Sequence, residues 1–261
     1  MPTIRRNQRE YMALLEPAFD LVRKIIFPKL DDFKEQHERN RTMDSATRTD
    51  DLADELTRAF DFVRVQFGRT VPADAFETAA KDSARRINRE NQDFNRRQVQ
   101  TVLGLDPIQA EPWLQQEIND SVKAGVDLIV TLPEDTFSRI EAMVQRRVKA
   151  GDSTAKLKSQ IQDEFGNSEG RARVIARDQT SKLNASLSEH RQRDLGVTRY
   201  IWRTSDDGAV RDDHERLDDT EQKWSEPPIT VTSGKRNGER NHPGMDIQCR
   251  CTAEPVFDDL I

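Results

Sequence analysis

The sequence is poor in cysteine and in apolar side chains. Its 261 residues include only two cysteines, Cys249 and Cys251. Because a disulfide across a single intervening residue would be strained, we expect the chain to fold without disulfides. Apolar residues make up 34% of the chain, the same share as charged residues. This leaves little material for one thick core, so the composition favours an extended, multi-part helical molecule over a compact barrel.

Long apolar runs and common catalytic motifs are also missing. The longest apolar stretch, residues 126–132, is broken by Asp127 and is far too short to span a membrane. The amino-terminal segment has no uninterrupted apolar stretch, so we expect no secretory signal. Nucleotide-binding glycine loops and the HExxH motif do not occur. We therefore expect a protein made inside the cell, with no membrane association, no catalytic residues and no enzymatic activity.

Charge is distributed unevenly along the chain. The formal net charge is −6, yet residues 139–193 carry 12 basic and 7 acidic residues. A basic helical face could contact nucleic acid or an acidic protein, although a solvated helix surface explains the same charge. The candidate contact residues are Arg146, Arg147, Lys149, Arg171, Arg173 and Arg177.

Apolar periodicity predicts helices over the first three quarters of the chain. Pro28 is predicted to end the first helix, which leaves residues 29–50 as a linker or a frayed helix. The predicted helices, bounded by Gly, Pro and capping residues such as Gly151, are 3–27, 52–67, 72–104, 111–124, 134–150, 153–165 and 169–195. On the third of these, one apolar face is predicted: Phe76, Ala80, Ala84, Ile87, Phe94 and Val102.

The pattern changes after Gly196. Residues 197–204 are rich in β-branched and aromatic side chains, which predicts a strand. Two helical turns over 210–217, a loop over 225–246 and a last strand over 249–256 complete the prediction. The expected fold is mainly α, an elongated helical body followed by a small C-terminal α+β module. The predicted regions are an N-terminal helical region (1–105), a helical middle domain (106–195) and the module (196–261).

The module contains four residues of metal-ligand type: His214, His242, Cys249 and Cys251. In a strand, a period of two places both cysteines on one face, and two thiolates with two imidazoles match a tetrahedral zinc site in type. Their spacing matches no zinc finger. We therefore favour cysteines that pack as small core residues, with Arg250 pointing outward between them and no cofactor bound; zinc is the alternative.

Two further features of the module bear on its function. Trp202 is expected in the core, between the strand layer and the helix 169–195, because it has a large apolar area and an indole N–H. The acidic residues Asp206, Asp207, Asp212 and Asp213 could hold Mg²⁺ for a nuclease. Acidic turns and a helix amino terminus explain those four carboxylates more simply.

A series of short sequence elements runs through the C-terminal half of the chain. It comprises Arg171, Ala172, residues 175–179, Leu183, Asn184, Gly196, residues 200–205, Val210, Arg211, His214, Leu217, Asp218, residues 242–244, residues 249–251 and Pro255. In this order, over roughly residues 110–256, the chain resembles the phage Mu F-like minor head proteins, also called phage head morphogenesis proteins. The residues that form the structural motif are Trp202, Arg211, His214, Pro243, Gly244, Cys249, Arg250 and Cys251.

The resemblance implies a structural, non-enzymatic protein of a tailed phage or prophage. It implies a place in the virion, in the head interior or at the portal, and in the host cytoplasm during assembly. The implied partners are the portal protein, other head proteins and packaged genomic DNA, with several copies per particle. The implied role is to assist head morphogenesis, genome packaging or DNA delivery. The alternative from a different class is a DNA-binding or metal-dependent DNA-processing protein.

Overall fold

The computed structural model describes residues 2–39, 45–104, 110–150 and 152–257. Its helices are α1 (Pro2–Arg39), α2 (Ser45–Thr70), α3 (Ala73–Leu103), α4 (Leu114–Ile129), α5 (Leu132–Lys149), α6 (Thr154–Asp194) and α7 (Asp212–Glu215); its strands are β1 (Arg199–Arg203), β2 (Glu221–Lys223) and β3 (Thr252–Pro255). The predicted mainly α class with a small C-terminal α+β module is confirmed. Within the described residues, no helix is both long and apolar enough to cross a bilayer.

Helix α1 does not end at Pro28, so the predicted linker over 29–50 is wrong where the structure describes it. The helix continues to Arg39 with Pro17 and Pro28 inside it. A proline costs a helix one hydrogen bond and crowds the preceding turn. The apolar stripe nevertheless continues past the proline, because Val22, Ile26 and Leu30 are all fully buried. Burial of this stripe offsets the cost of the proline.

Other helix boundaries also differ from the prediction, among them the end of α2, which runs through Gly68 to Thr70. The apolar segment 126–132 is not a separate connection, because its first four residues form the last turn of α4. Helix α6 is continuous where a break between Phe165 and Glu169 was predicted. Its buried positions continue through that point, at Phe165, Ser168 and Ala172, so packing overrides the weak helix propensity of Gly166 and Gly170. The predicted boundary at 106 and the cap at Gly151 lie outside the described residues.

The chain divides into two compact units, each discontinuous in sequence. Unit 1 comprises Met1–Asn7, Ala80–Gly125 and Ala176–Ile261, and unit 2 comprises Gln8–Ala79 and Val126–Ile175. The three regions predicted from the sequence are contiguous segments. Each unit, in contrast, combines two or three separate segments of the chain. Long helices allow this, because one helix can supply residues to two separate cores.

In unit 2, helices α2 and α5 pack side by side. The rings of Phe67 and Phe137 meet edge to face, with centroids 5.6 Å apart. At the edge of this contact, Arg64 of α2 binds two carboxylates of α5, with Nε 2.9 Å from Glu134 and Nη2 2.8 Å from Glu141. These carboxylates raise the pKa of Arg64, although burial acts in the opposite direction. An apolar seam with a charged border thus joins the two helices.

Unit 1 contains the carboxyl-terminal part of α3, whose buried face differs from the prediction. Phe76, Ala80, Ala84 and Ile87 are buried as predicted, but Phe94 is 41% and Val102 53% exposed. The face instead continues through Asn91, Asn95 and Val99, each no more than 5% exposed. Asn91 Nδ2 donates to the Asn184 carbonyl oxygen at 3.0 Å and to Ser188 Oγ at 2.7 Å. These bonds to α6 satisfy a buried polar side chain.

The module in unit 1 is a three-stranded antiparallel sheet in the order β2-β1-β3. Central strand β1 pairs Tyr200 with Gln222 of β2 and Trp202 with Ala253 of β3. The predicted first strand is confirmed, the predicted last strand is present but begins only at Thr252, and the polar strand β2 was not predicted. Tyr200 and Trp202 alternate onto one buried face. This face forms a core with other side chains: Val99, Val197, Trp224, Cys249, Cys251, Ala253 and Phe257.

Candidate functional site

Helix α7 places His214 against the buried face of the sheet. The helix is a single turn that follows an extended residue, Arg211, and His214 is only 2% exposed. Its imidazole meets the indole of Trp202 edge to face, with centroids 5.5 Å apart. The predicted burial of Trp202 and the predicted reach of His214 to the strand layer are both confirmed.

The sulfur atoms of both cysteines lie close to the same nitrogen of His214. Cys249 Sγ is 3.5 Å and Cys251 Sγ 3.6 Å from His214 Nδ1. Both thiols are buried. The prediction that both cysteines lie within a strand is wrong, because β3 begins only at Thr252. Both sulfurs nevertheless lie close to His214. Gln248, whose φ of 54° is in the left-handed region, turns the chain just before Cys249.

Backbone amides surround the sulfur of Cys249. The amides of Gly244 and Cys251 each donate to Cys249 Sγ at 3.4 Å. Hydrogen bonds from Cys251 and His214 lower the pKa of Cys249 to about 4, although burial opposes this. The same bond to Cys249, together with burial, raises the pKa of Cys251. The Cys249 position is therefore built to hold a thiolate.

Asp246 holds the far side of the His214 ring. The carboxylate is 2% exposed and lies 3.3 Å from His214 Nε2. It accepts from Arg236 Nη2 at 2.6 Å and from the Ile247 amide at 2.8 Å. Burial raises the pKa of Asp246, but the bond from Arg236 outweighs it and keeps the pKa below its ordinary value. Asp246 thus accepts a hydrogen bond from His214 Nε2, and Nδ1 is the ring nitrogen that faces the two sulfurs.

His242 lies apart from this cluster. Its Nδ1 is 2.9 Å from the Tyr200 hydroxyl, and its ring packs against Trp224 with centroids 4.9 Å apart. Burial lowers the pKa of His242. Of the four predicted metal-ligand candidates, the structure therefore brings together three, His214, Cys249 and Cys251.

A cavity of about 200 Å³ adjoins the cluster. Its wall includes all three residues of the cluster and three arginines, Arg177, Arg211 and Arg250. Arg250 forms a salt bridge with Asp207. The cluster thus faces a polar space that solvent can enter.

Two of the four acidic residues considered for Mg²⁺, Asp207 and Asp213, have other contacts. Asp207 pairs with Arg250, and this bond lowers its pKa. Asp213 accepts from the Thr232 amide at 3.0 Å and from Thr232 Oγ1, and these bonds lower its pKa. Within the described residues, the His–Cys cluster is the single group of three or more such side chains close enough to share an ion. The carboxylates instead tie loops together.

The predicted basic contact residues carry part of their charge in ion pairs. Arg147 is 3.4 Å from Asp152, and Arg173 is 3.3 Å from Glu169. Arg146 and Arg171 are exposed. Arg177 belongs to unit 1 and lines the cavity beside the cluster, and the side chain of Lys149 lies outside the described residues. The neutralised pairs reduce the positive charge that these helices offer to DNA.

The structure adds residues that the sequence did not indicate. Asp246 positions His214, and Asp178 Oδ1 accepts from the Gln248 amide at 2.9 Å, which anchors the turn before Cys249 to α6. Gln192 of α6 accepts from Trp224 Nε1 at 3.2 Å and donates to the Ala253 carbonyl oxygen at 3.1 Å. None of these polar residues belongs to a recognisable sequence motif, so the sequence alone could not indicate their roles.

Gly244 supplies a close contact that can be tested against a matched glycine. Gly244 and Gly238 share a φ of 86°. A Cβ at 244 would lie 2.8 Å from the Ala185 Cβ, whereas a Cβ at 238 would meet nothing within 4 Å. We expect Gly244→Ala to lower the free energy of unfolding by about 2–4 kcal/mol, from left-handed strain plus overpacking. Gly238→Ala should cost the strain alone, about 1–2 kcal/mol.

Urea-induced unfolding followed by circular dichroism measures both variants. A larger loss for Gly244→Ala supports the close approach of the loop to α6. Equal losses for the two variants would show that the contact with Ala185 adds nothing.

The fold and site define a class of chain: a helical protein that ends in a small sheet module with a buried His–Cys cluster. Residues 138–254 match the family model of Phage Mu protein F like protein. The resemblance predicted from the sequence is confirmed over this segment, which contains the whole cluster.

One curated relative adds to this match. The chain is 30% identical over 161 residues to an "Uncharacterized protein" of Haemophilus influenzae. The aligned part covers 61% of this chain but 34% of the relative, so the chain spans about a third of that protein's length. No solved structure matches the chain.

Proposed function

We propose that the chain is a structural minor head protein of a tailed phage or prophage that binds the portal inside the head. There it assists head morphogenesis, genome packaging or DNA delivery, in several copies per particle and without enzymatic activity. The observation that carries this proposal is the Mu F-like match over residues 138–254. Six of the eight motif residues are buried here, which argues that the match reflects a shared module and not a chance alignment.

The geometry of the module supports a structural role. Trp202, Cys249 and Cys251 of the motif belong to its core, and Gly244 packs directly against α6. Arg211 donates to the Ile247 carbonyl oxygen and so holds the loop before the cysteines. These motif residues stabilise the fold, and a folded module of this kind suits a docking protein.

The portal contact can be tested with purified components. The chain is co-expressed with the portal protein of the same phage, and the lysate is treated with nuclease before size-exclusion chromatography. We expect the chain to co-migrate with the portal ring at moderate salt, because the contact is between proteins. Separate migration of chain and ring would contradict portal binding, and co-migration only without nuclease would indicate a DNA bridge.

The alternative function, DNA binding through residues 139–193, predicts a different result. Binding that rests on phosphate contacts weakens steeply as salt rises. Replacing the exposed Arg146 and Arg171 by Gln would then reduce duplex affinity and its salt dependence. We expect the wild-type chain to bind duplex DNA only weakly, since Arg147 and Arg173 already pair with carboxylates. The variant should still co-migrate with the portal. Tight, strongly salt-dependent binding would favour the DNA-binding alternative.

A further inference from the structure

We propose that His214, Cys249 and Cys251 bind a zinc ion, with a water molecule from the adjoining cavity as the fourth ligand. This inference goes beyond the proposed function and does not depend on it. The spacing of these residues in the sequence matches no zinc finger. That mismatch favoured the interpretation of Cys249 and Cys251 as core residues that bind no metal. The folded geometry favours the metal for four separate reasons.

The first reason is distance. Zinc binds sulfur at about 2.3 Å and imidazole nitrogen at about 2.0–2.1 Å, and tetrahedral angles then place the sulfur and the nitrogen about 3.6 Å apart. The observed separations from His214 Nδ1 are 3.5 Å to Cys249 and 3.6 Å to Cys251. All three ligand atoms lie within 4.8 Å of one another. The two nitrogen–sulfur separations are thus those that a shared zinc ion requires.

The second reason is that two sulfurs converge on one nitrogen. His214 Nδ1 is nearly equidistant from the two sulfurs, yet a single ring nitrogen forms a hydrogen bond with only one of them at a time. A zinc ion at this point binds the nitrogen and both sulfurs together.

The third reason is the support of the ligands. Histidines that bind metals commonly donate their other ring N–H to a carboxylate, which fixes the ring and its tautomer. Asp246 occupies this place at 3.3 Å from Nε2, and Arg236 holds the carboxylate from its other side. A buried carboxylate behind a buried histidine is the arrangement expected for a positioned metal ligand.

The fourth reason is the set of N–H groups around the sulfurs. Two backbone amides, of Gly244 and Cys251, donate to Cys249 Sγ. The indole N–H of Trp202 is fully buried and has no hydrogen-bond partner at standard distance. It lies in the same core as both cysteines. The two amide bonds favour a thiolate at Cys249, the form in which cysteine binds metals.

The cavity supplies the fourth coordination position. Within the described residues no fourth side chain joins the cluster, and the cavity of about 200 Å³ opens directly onto it. A space of this size has room for several water molecules, each of which takes about 30 Å³. Two thiolates and an imidazole select a soft or borderline divalent ion, of which zinc is the ordinary one in proteins.

Metal analysis of the full-length chain tests the proposal. Protein purified without chelators is expected to hold about one zinc per chain. The double variant Cys249→Ser with Cys251→Ser should hold none, while His242→Gln should keep its zinc. His242 is the matched control because it is a histidine of the same module that contacts Tyr200 and lies outside the cluster.

Two measurements remain informative if the cysteine variant does not fold. X-ray absorption of the wild-type chain should show two sulfur neighbours at about 2.3 Å and two nitrogen or oxygen neighbours at about 2.0–2.1 Å. Asp246→Asn keeps the size of the side chain but removes its charge, and it should weaken zinc binding by about 10–100-fold in competition with a chromophoric chelator.

Three results would overturn the proposal. The first is a wild-type chain that holds no zinc after expression in zinc-supplemented medium. The second is zinc that stays bound in the double cysteine variant. The third is an oxidised pair, detected as two missing thiols in the denatured wild-type chain. Failure of portal binding would leave all of these measurements unchanged, so the two proposals are tested separately.

Discussion

Replacement of Trp202 by alanine is expected to unfold the C-terminal module. The side chain is fully buried at the centre of the sheet core, between Tyr200 on its own strand and His214 on α7. Removing a buried tryptophan side chain leaves a large cavity and costs about 3–5 kcal/mol. A module with a three-stranded sheet has little stability in reserve, since small domains bury a modest fraction of their surface.

Two variants test whether the loss of stability in Trp202→Ala comes from the cavity that the indole leaves. Trp202→Phe keeps most of the apolar volume and should cost less than half as much as Trp202→Ala. Trp113→Ala removes the same side chain from a half-buried position, where the indole stacks on His190, and should also cost less than half as much. Urea unfolding and hydrogen exchange of β1 and β3 report the change. A wild-type unfolding midpoint for Trp202→Ala would exclude Trp202 from the core.

The central strand β1 and the residues of the cluster could be predicted because local chemistry determines them. Residues 197–204 are rich in β-branched and aromatic side chains, and the alternation of Tyr200 and Trp202 is a period-two signal. Cys249 and Cys251 stood out because cysteine is rare in this chain. The grouping of His214 with both cysteines followed from a short connection that returns α7 to the sheet.

The remaining parts of the site depend on contacts between distant residues. Asp246 lies 32 residues from His214 in the chain, and nothing in the loop marks it as the residue that fixes the imidazole. His242 is close to the cysteines in sequence, yet its bond to Tyr200 holds it elsewhere. Spacing alone therefore produced a set of four candidates where the fold assembles three.

The helix boundaries and the buried face of α3 show a similar limit. Pro28 is a strong local signal for the end of a helix, but burial of Leu30 keeps α1 intact. On α3, a search for apolar residues selected Phe94 and passed over Asn91, which is buried because α6 supplies its hydrogen-bond partners. Tertiary packing overrides local propensity in both cases.

The buried ion pair between Arg191 and Glu111 leads to the second large expected effect. Arg191 is 7% exposed, and its guanidinium binds Glu111 through two nitrogens, at 2.6 and 2.9 Å. It also donates to Asn91 Oδ1 at 2.5 Å and to Asn88 Oδ1 at 2.6 Å. This network joins α6 to α3 and to the segment before α4, within unit 1.

We expect Glu111→Gln to lower the free energy of unfolding by about 3 kcal/mol, because it leaves a buried guanidinium without a carboxylate. The matched control is Glu189→Gln, which breaks the exposed pair with Arg193 and should cost about 0–1 kcal/mol. Adding Arg191→Met to Glu111→Gln removes the unpaired charge, so the double variant should be more stable than Glu111→Gln alone. Urea unfolding of the four proteins, wild type included, measures these differences. Equal small losses for Glu111→Gln and Glu189→Gln would show that solvent reaches Arg191 and that the network does not hold unit 1 together.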